Sequence, residues 1–266
     1  MTRTTRRIYN HRRARQKLTQ LLSNAEHVSV IHYSCESFYN RKDEKSPRIT
    51  SIAVRNLATG NTRSFSIHQA AEIKKWKSEQ IEQSYNELER YMLQEYFDYI
   101  SSHLSETWLH WNMRDIIFGF QALEHRFKVL GGKPVTIPEP NCVDLSDLLS
   151  DIYGPNYIEQ PRLSSVVKKN QISDKDFLPG KDEAIAFENR EYFKMHLSTL
   201  RKVHILALIA KLAEEGRLKT NSSWRDIYGM NPESIGEFLK DHWLISIFTF
   251  IATLTGLILS LYQLYY

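Results

Sequence analysis

Six small or polar side chains recur at a regular spacing within the otherwise apolar end of the chain. Successive members lie three or four residues apart, so on a helix they form one narrow stripe. The six are Ser246, Thr249, Thr253, Gly256, Ser260 and Gln263. Such a stripe can act as a packing seam with interhelical hydrogen bonds, or as the polar lining of a pore built from several copies. Both interpretations remain open, and both require partner helices.

The helix that must carry this stripe has no formal charge over residues 243–266. A helix of this length extends about 36 Å, which exceeds the ~30 Å hydrocarbon core of a bilayer. Trp243 at one end and Tyr265 and Tyr266 at the other suit the two membrane interfaces. A buried helix of a soluble protein rarely runs this long without a charge. The sequence therefore predicts a transmembrane helix over residues 242–266.

Positive charge is concentrated at the opposite end of the chain. The net charge of the 266 residues is +4, but seven Lys or Arg and no acid fall within the first seventeen residues. Without those seven cations the remaining chain carries −3. Residues 1–26 are therefore predicted to form a basic arm that begins irregular and becomes helical through Leu18 and Leu21. The arm can hold nucleic-acid phosphates or anionic lipid headgroups, or it can remain solvated.

Targeting signals favour insertion through the C-terminal segment. No N-terminal hydrophobic run resembles a signal peptide. Four Lys or Arg lie in 217–241 and none follows residue 243, so the positive-inside bias places the body in the cytoplasm. Cys35 and Cys142 form no spacing motif and fit a reducing compartment. We expect a single-pass protein of the inner (cell) membrane with a cytoplasmic N-terminal domain.

Between the arm and the tail, strands come early and helices come late. Alternating branched residues predict strands at 27–33, 48–57, 62–67 and 108–110. Helices are predicted over 68–101, 116–129, 143–152, 163–169 and 185–215, with 216–241 as a linker and pre-membrane helix. This order predicts an α/β fold in which helices flank a sheet.

Four segments of this region follow one another in an informative order. HYSCESF ends the first strand, HWNMRDIIFGF precedes a helix, VDLSDLLSDIYG leads to PRLSSVVKKNQI, and HLSTLRKVHILALIAKL belongs to the last long helix. Across residues 27–215 they resemble the Asp-x-Glu, His-Asn-x-x-Phe-Asp, connector and His-x-x-x-x-Asp segments of the DEDD 3′–5′ exonuclease family. The resemblance implies a ribonuclease H-like mixed sheet flanked by helices.

The departures from that family concern its metal-binding acids. The family's chemistry uses four carboxylates that hold two divalent metals, together with a histidine as general base. The corresponding positions here carry Ser34, Glu36, Asp115, His196 and Arg201. An arginine in the last acid position repels a metal and is expected to pair with Glu36 or Asp115. We therefore expect no catalytic residue, no metal and no cofactor. Placing Glu183 or Glu188 in the fourth position is an alternative alignment.

A site of this kind can still bind nucleic acid, because the family's cleft is shaped for a single-stranded 3′ end. Arg201 offers a bidentate donor to phosphate, and Phe38 offers a face for base stacking. The predicted nucleic-acid-binding residues are Ser34, Glu36, Ser37, Phe38, Asn112, Asp115, His196 and Arg201. Trp111 can equally belong to the core, and His196 can be a buried, hydrogen-bonded histidine.

A pseudo-nuclease domain joined to an oligomerising membrane helix resembles the membrane effectors of bacterial anti-phage defence, the Hailong effectors among them. That resemblance implies a single-stranded DNA oligonucleotide as ligand and a nucleotidyltransferase encoded nearby. It also implies contact with membrane lipid and a homo-oligomer, tetrameric or larger. The resulting hypothesis is an ion channel gated by the oligonucleotide. The alternatives are an active membrane-anchored exonuclease that uses Glu36 and Asp115, and an oligomeric scaffold without a pore.

Overall fold

Five strands form one mixed sheet in the computed structural model, which describes residues 3–37, 46–114, 118–228 and 243–265. The strands are β1 (Val28–Cys35), β2 (Ile49–Asn56), β3 (Thr62–Ser66), β4 (Thr107–His110) and β5 (Cys142–Asp144). Their order across the sheet is β3-β2-β1-β4-β5. β1, β2 and β3 pair antiparallel, whereas β1, β4 and β5 run parallel. The α/β prediction is confirmed, and this topology is consistent with a ribonuclease H-like fold.

Helices cover both faces of the sheet. Those described are α1 (Arg3–Ser23), α2 (Ile67–Ile73), α3 (Tyr85–Ser101), α4 (Phe120–Val129), α5 (Leu145–Tyr153), α6 (Arg162–Lys169), α7 (Gly180–Glu188), α8 (Tyr192–Glu214), α9 (Trp224–Tyr228) and α10 (Trp243–Tyr265). Side chains of β1 alternate between two cores because successive residues of a strand face opposite ways. Val28 and Val30 pack with residues of α1, α5 and α8, whereas Ile31 and Tyr33 pack with residues of α3 and α4. The central strand is therefore buried on both faces.

Two long predicted helices are each broken into two. Lys75 and Arg190 adopt left-handed backbone conformations, with φ of 58° and 61°. After each of these residues the chain closes a six-to-one hydrogen bond, from Trp76 N to the Ala71 carbonyl and from Glu191 N to the Ala186 carbonyl, both 2.8 Å. This bond ends a helix. The breaks carry no glycine, so no residue at these positions predicts the end of a helix.

The predicted basic arm is a helix that belongs to the folded body. α1 is helical from Arg3 onward, and Leu18 and Leu21 are buried. His11 Nδ1 lies 2.7 Å from the Ile152 carbonyl oxygen of α5. Arg15 Nη1 donates to the carbonyl at the end of α8, on Ala213, over 2.9 Å. The arm is therefore anchored through apolar contacts and through two of its polar side chains.

The apolar tail forms α10, whose large apolar side chains between Ile247 and Leu261 are exposed. Three side chains of the polar stripe are described, and all three are exposed: Thr253, Gly256 and Ser260. The side chains of the other stripe residues lie outside the described part of the chain, as do residues 229–241 of the predicted linker and pre-membrane helix. Among the described residues, no helix has the length and hydropathy of a membrane span.

Candidate functional site

β1 ends in a cluster of buried hydroxyl groups beneath α8. Ser34 lies opposite Ser51 of β2, immediately before the register of the two strands shifts. Its Oγ is 2.7 Å from Thr199 Oγ1 of α8, which is 2.6 Å from Ser51 Oγ. All three residues are buried. A hydroxyl group has one proton to donate. Thr199 donates its own to the Met195 carbonyl over 2.9 Å, which leaves Ser51 as the donor to Thr199.

This hydroxyl cluster leads to an internal ion pair. Ser34 Oγ donates to Glu183 Oε1 of α7 over 2.7 Å, and Lys202 Nζ of α8 lies 2.6 Å from the same oxygen. The two charged side chains are only 14% and 6% exposed. Lys202 Nζ also lies 5.6 Å from the centre of the Phe177 ring. A buried pair of this kind has lost much of its hydration, so each charge depends on the other.

The helical periodicity of α8 determines which of its cations lies beside the end of β1. Lys202 is seven residues after Met195 and three after Thr199, so all three lie on the helix face that meets the sheet. Arg201 is rotated by about 100° from Lys202. Its Nε donates to the Ser173 carbonyl over 3.1 Å, and its Nη2 contacts the same oxygen. Arg201 is thus directed to the loop before α7, in place of the expected pairing with Glu36; the expected pairing with Asp115 lies outside the described residues.

His196 lies in a different part of the same interface. Its Nε2 is 3.4 Å from Ser64 Oγ of β3, and its ring packs edge-on against His68 with centroids 4.8 Å apart. Burial, followed by the charge of His68, lowers the pKa of His196 to about 4. Within the described residues its Nδ1 is buried without a hydrogen-bond partner. The imidazole is therefore neutral at neutral pH and is packed against β3 and α2.

Glu36 follows the last residue of β1 and lies near β2 and the start of α3. Arg48 N donates to Glu36 Oε2 over 3.3 Å, and Arg48 Nε lies 3.5 Å from the same oxygen. Arg48 is stacked between the rings of Tyr85 and Phe187, 4.7 and 4.8 Å from their centres. Glu36 also lines a polar cavity of about 610 Å³, together with Arg48, Glu82 and Arg126. Ser37 follows directly at the end of the described segment.

A second polar cluster lies where β4 and β5 end. Asp144 caps α5 by accepting from Ser146 N over 2.8 Å, and its Oδ2 is 2.6 Å from Arg114 Nε. Arg114 Nη1 lies 2.7 Å from the carboxylate of Asp147. Arg114 Nη2 donates to Asn112 Oδ1 over 2.5 Å. Asn112 has a left-handed φ of 56°, which turns the chain so that Arg114 faces β5.

Beneath this cluster lies a buried histidine at the last position of β4. His110 accepts at Nδ1 from Met113 N over 3.3 Å, and its ring packs edge-on against Phe120. Burial, followed by the charge of Arg114, lowers the pKa of His110 to about 4. The cluster therefore presents at its surface a guanidinium paired with the carboxylates of Asp144 and Asp147, with a neutral imidazole below.

The structure brings together only part of the predicted set. Ser34 lies beside Glu183, the alternative acid, whereas Arg201 and His196 are directed elsewhere on α8. Phe38 and Asp115 lie outside the described residues. Trp111 is buried in the core.

Sequence reasoning missed several polar residues at the ends of β1, β4 and β5. They are Thr199, Lys202, Arg114 and Asp144. The available signal for Lys202 was a charged residue in phase with the apolar face of α8.

The residues at the end of β1 do not fit a two-metal centre. Ser34 stands in place of an acid, and the neighbouring carboxylate of Glu183 is already occupied by an ammonium at 2.6 Å. That ammonium would repel a divalent cation at the same place. Among the described residues, no group of three or more His, Cys, Asp or Glu side chains could hold a metal ion.

Comparison with protein-family models, with curated proteins and with solved structures finds no match to this chain.

Proposed function

We propose that the body of this protein is a non-hydrolytic receptor for a single-stranded nucleic-acid end, DNA in particular, with the ribonuclease H-like fold of the DEDD exonucleases. The observation that carries the proposal is the ion pair of Lys202 and Glu183 against Ser34. In the family, metal ions at this end of the first strand bind phosphate and activate water. Here a buried lysine ammonium, neutralised by Glu183, stands at this place. It does not generate hydroxide, so hydrolysis is lost, and contact with phosphate falls to an exposed cation of the same edge of the sheet.

The carboxyl ends of β1, β4 and β5 provide the binding edge. Because these strands run parallel, their ends meet on the same side of the sheet. Arg114 is 45% exposed at this edge, beside Asn112. Its planar guanidinium suits bidentate contact with phosphate. The ligand is expected to lie on this edge, with its phosphate near Arg114.

The binding proposal is tested with the full-length protein in detergent and a fluorescent single-stranded DNA of about twelve nucleotides. We expect binding in a polarisation assay, and no shortening of the labelled strand with magnesium or manganese. Arg114→Gln should weaken binding by roughly 1–3 kcal/mol through a lost charge-assisted contact. Arg90→Gln is the matched control, because Arg90 is exposed on α3, on the face of the sheet opposite to α1 and α5. Absence of binding by the wild-type protein would overturn the proposal.

We further propose that α10 anchors this receptor in the inner membrane, with the body in the cytoplasm, and that four or more copies form an ion channel gated by the bound strand. The absence of a formal charge from residues 243–266 supports this proposal, as do the exposed apolar side chains of α10. A Cβ added at Gly256 would meet nothing within 4 Å, so its small size serves no contact within the chain. Close approach of a neighbouring helix would use it.

The architecture supports a role in anti-phage defence. A nucleotidyltransferase encoded nearby would supply the ligand of such an effector. This part of the proposal rests on the resemblance of the whole arrangement to membrane effectors of that class. Co-expression of a neighbouring nucleotidyltransferase gene should change the toxicity of the protein in cells, whereas a catalytically inactive version of that partner should not.

The channel is tested by leakage of ions or dye from liposomes that carry the purified protein freed of nucleic acid. Thr253→Leu should close the pore, because an apolar ring at mid-membrane favours dewetting. Thr255→Leu lies off the stripe and is the matched control; its hydroxyl donates within α10, to the Ile251 carbonyl over 2.9 Å. Equal leakage by both variants and the wild-type protein, with the oligomer intact, would leave only a packing seam.

The second candidate function is an active membrane-anchored exonuclease. The observation that favours it is the polar cavity of about 610 Å³ beside Glu36, which Arg48 and Arg126 also line. Processive shortening of a labelled strand, abolished in Glu36→Gln, would establish this activity. Shortening that persists in Glu36→Gln would point to a contaminating nuclease.

A further inference from the structure

A groove runs along α1 where this helix packs against α5. Its volume is about 690 Å³, and α1 lines one wall with Arg6, Arg13 and Lys17. Arg6 and Arg13 are exposed, and Lys17 is half-buried. The three positions are seven and four residues apart, so they lie on one face of the helix. They extend over about 16 Å of its length at ~1.5 Å per residue.

The opposite wall of the groove is formed by carboxylates. Asp144 and Asp147 belong to the cluster of Arg114 at the binding edge, and Asp151 lies one turn further along α5. The groove is therefore continuous with the candidate site. A second hollow of about 400 Å³ shares Lys17 and Gln20 and extends the groove toward His27.

The two walls of the groove are chemically complementary to a single-stranded nucleic acid. Cations on one side suit phosphates, and carboxylates on the other accept hydrogen bonds from the exocyclic amino groups of unpaired bases, as in cytosine. A lipid surface fits this groove poorly. The apolar residues by which α1 could insert into a membrane, Ile8, Leu18 and Leu21, are buried in the body.

We propose that the groove between α1 and α5 binds the segment of single-stranded nucleic acid that follows the end held at the carboxyl edge of the sheet. The proposal rests on the proposed receptor function and specifies the path of its ligand. Arg6, Arg13 and Lys17 contact the phosphates, and Asp151 accepts from the bases. The expected ligand is consequently longer than the edge alone would hold, and richer in bases that carry amino groups.

The test compares salt dependence of binding in the full-length protein in detergent. The combined variant Arg6→Gln, Arg13→Gln and Lys17→Gln should reduce the slope of log affinity against log salt by about 2, at ~0.7 per phosphate contact of a single strand. The matched control removes three exposed cations on the other face of the sheet, with Arg90→Gln, Lys128→Gln and Lys133→Gln. An unchanged slope in the groove variant, with binding intact, overturns this inference alone. Absence of binding by the wild-type protein overturns both proposals.

Two further measurements identify the occupant of the groove. Oligo-dC should bind more tightly than oligo-dT, and Asp151→Ala should abolish the difference. Equal affinities in the wild-type protein would exclude the bases from the acidic wall. If the groove variant instead loses binding to vesicles of phosphatidylserine and phosphatidylcholine while its DNA slope is unchanged, α1 is a lipid-binding surface and the inference is wrong.

Discussion

The end of β1 and the ends of β4 and β5 hold their charges in opposite ways. Lys202 and Glu183 are 2.6 Å apart and almost completely buried. Arg114 and Asp147 are 2.7 Å apart, but they are 45% and 53% exposed. The attraction at similar distances has different consequences, because water competes with the exposed pair and not with the buried one. The first pair therefore fixes local structure, whereas the second can exchange its partners for a ligand.

The largest effect is expected from breaking the buried pair. Lys202→Met leaves the Glu183 carboxylate without its cation and should reduce the free energy of unfolding by about 3–5 kcal/mol. Chemical denaturation followed by circular dichroism measures this loss. Adding Glu183→Leu should recover most of it, since an apolar pair of similar volume can replace a buried ion pair. A loss below ~1 kcal/mol for Lys202→Met alone would mean that water reaches the buried pair. This pair would then not differ from the exposed pair of Arg114 and Asp147.

Acid should destabilise the protein through one histidine near each cluster. His110 lies below the exposed cluster, and His196 lies on α8 against β3 and α2; burial lowers the pKa of each to about 4. Their unfolded pKa is about 6.5, so between these values the unfolded chain binds more protons and stability falls as the pH falls. At pH 5 the loss should be about 2 kcal/mol for each histidine.

Thermal unfolding at pH 7 and pH 5 measures this dependence. Burial also lowers the pKa of His32, which therefore adds to the loss, so His196→Gln should remove no more than about a third of it. His125→Gln, at an exposed position of α4, is the control and should leave it unchanged. If the unfolding temperature of the wild-type protein is the same at both pH values, the two imidazoles are not held neutral as the structure indicates.

The smallest effect on stability is expected in the exposed cluster of Arg114, at the ends of β4 and β5. Arg114→Gln should reduce the free energy of unfolding by about 1–2 kcal/mol. Its pair with Asp147 is exposed, and Asp144, which is 8% exposed, loses one charged partner but keeps its cap on α5. The same variant should also weaken DNA binding. A stability loss as large as that of Lys202→Met would show that Arg114 is structural and would remove it from the proposed binding edge.

The fold was predictable where a local pattern repeats. Alternation in residues 27–33 and 48–57 located β1 and β2, and the Gly131-Gly132 pair correctly ended α4. β5 was missed because three residues carry no periodicity of their own. The attachment of α1 was missed because seven cations obscured the buried stripe that contains Leu18 and Leu21.

The candidate site was predictable only in part. The segment containing Ser34 and Glu36 was placed correctly at the end of β1. The cation was assigned to Arg201 because motif spacing counts residues along the chain. On a continuous helix, however, positions 196 and 201 are about 140° apart and cannot share a face. The fixed spacing of a motif brings two side chains to the same site only when the helix begins at the residue that the motif requires.

The sequence by itself determined the class of fold, the separation of an uncharged tail from a charged body, and the absence of an acid at position 34. Tertiary structure alone decided which charges meet. Glu183 and Lys202 are nineteen positions apart in the chain, on two helices whose break at Arg190 has no glycine. Their contact with Ser34 depends on how α7 and α8 pack against β1. Packing is a cooperative result of the whole core, and no local pattern encodes it.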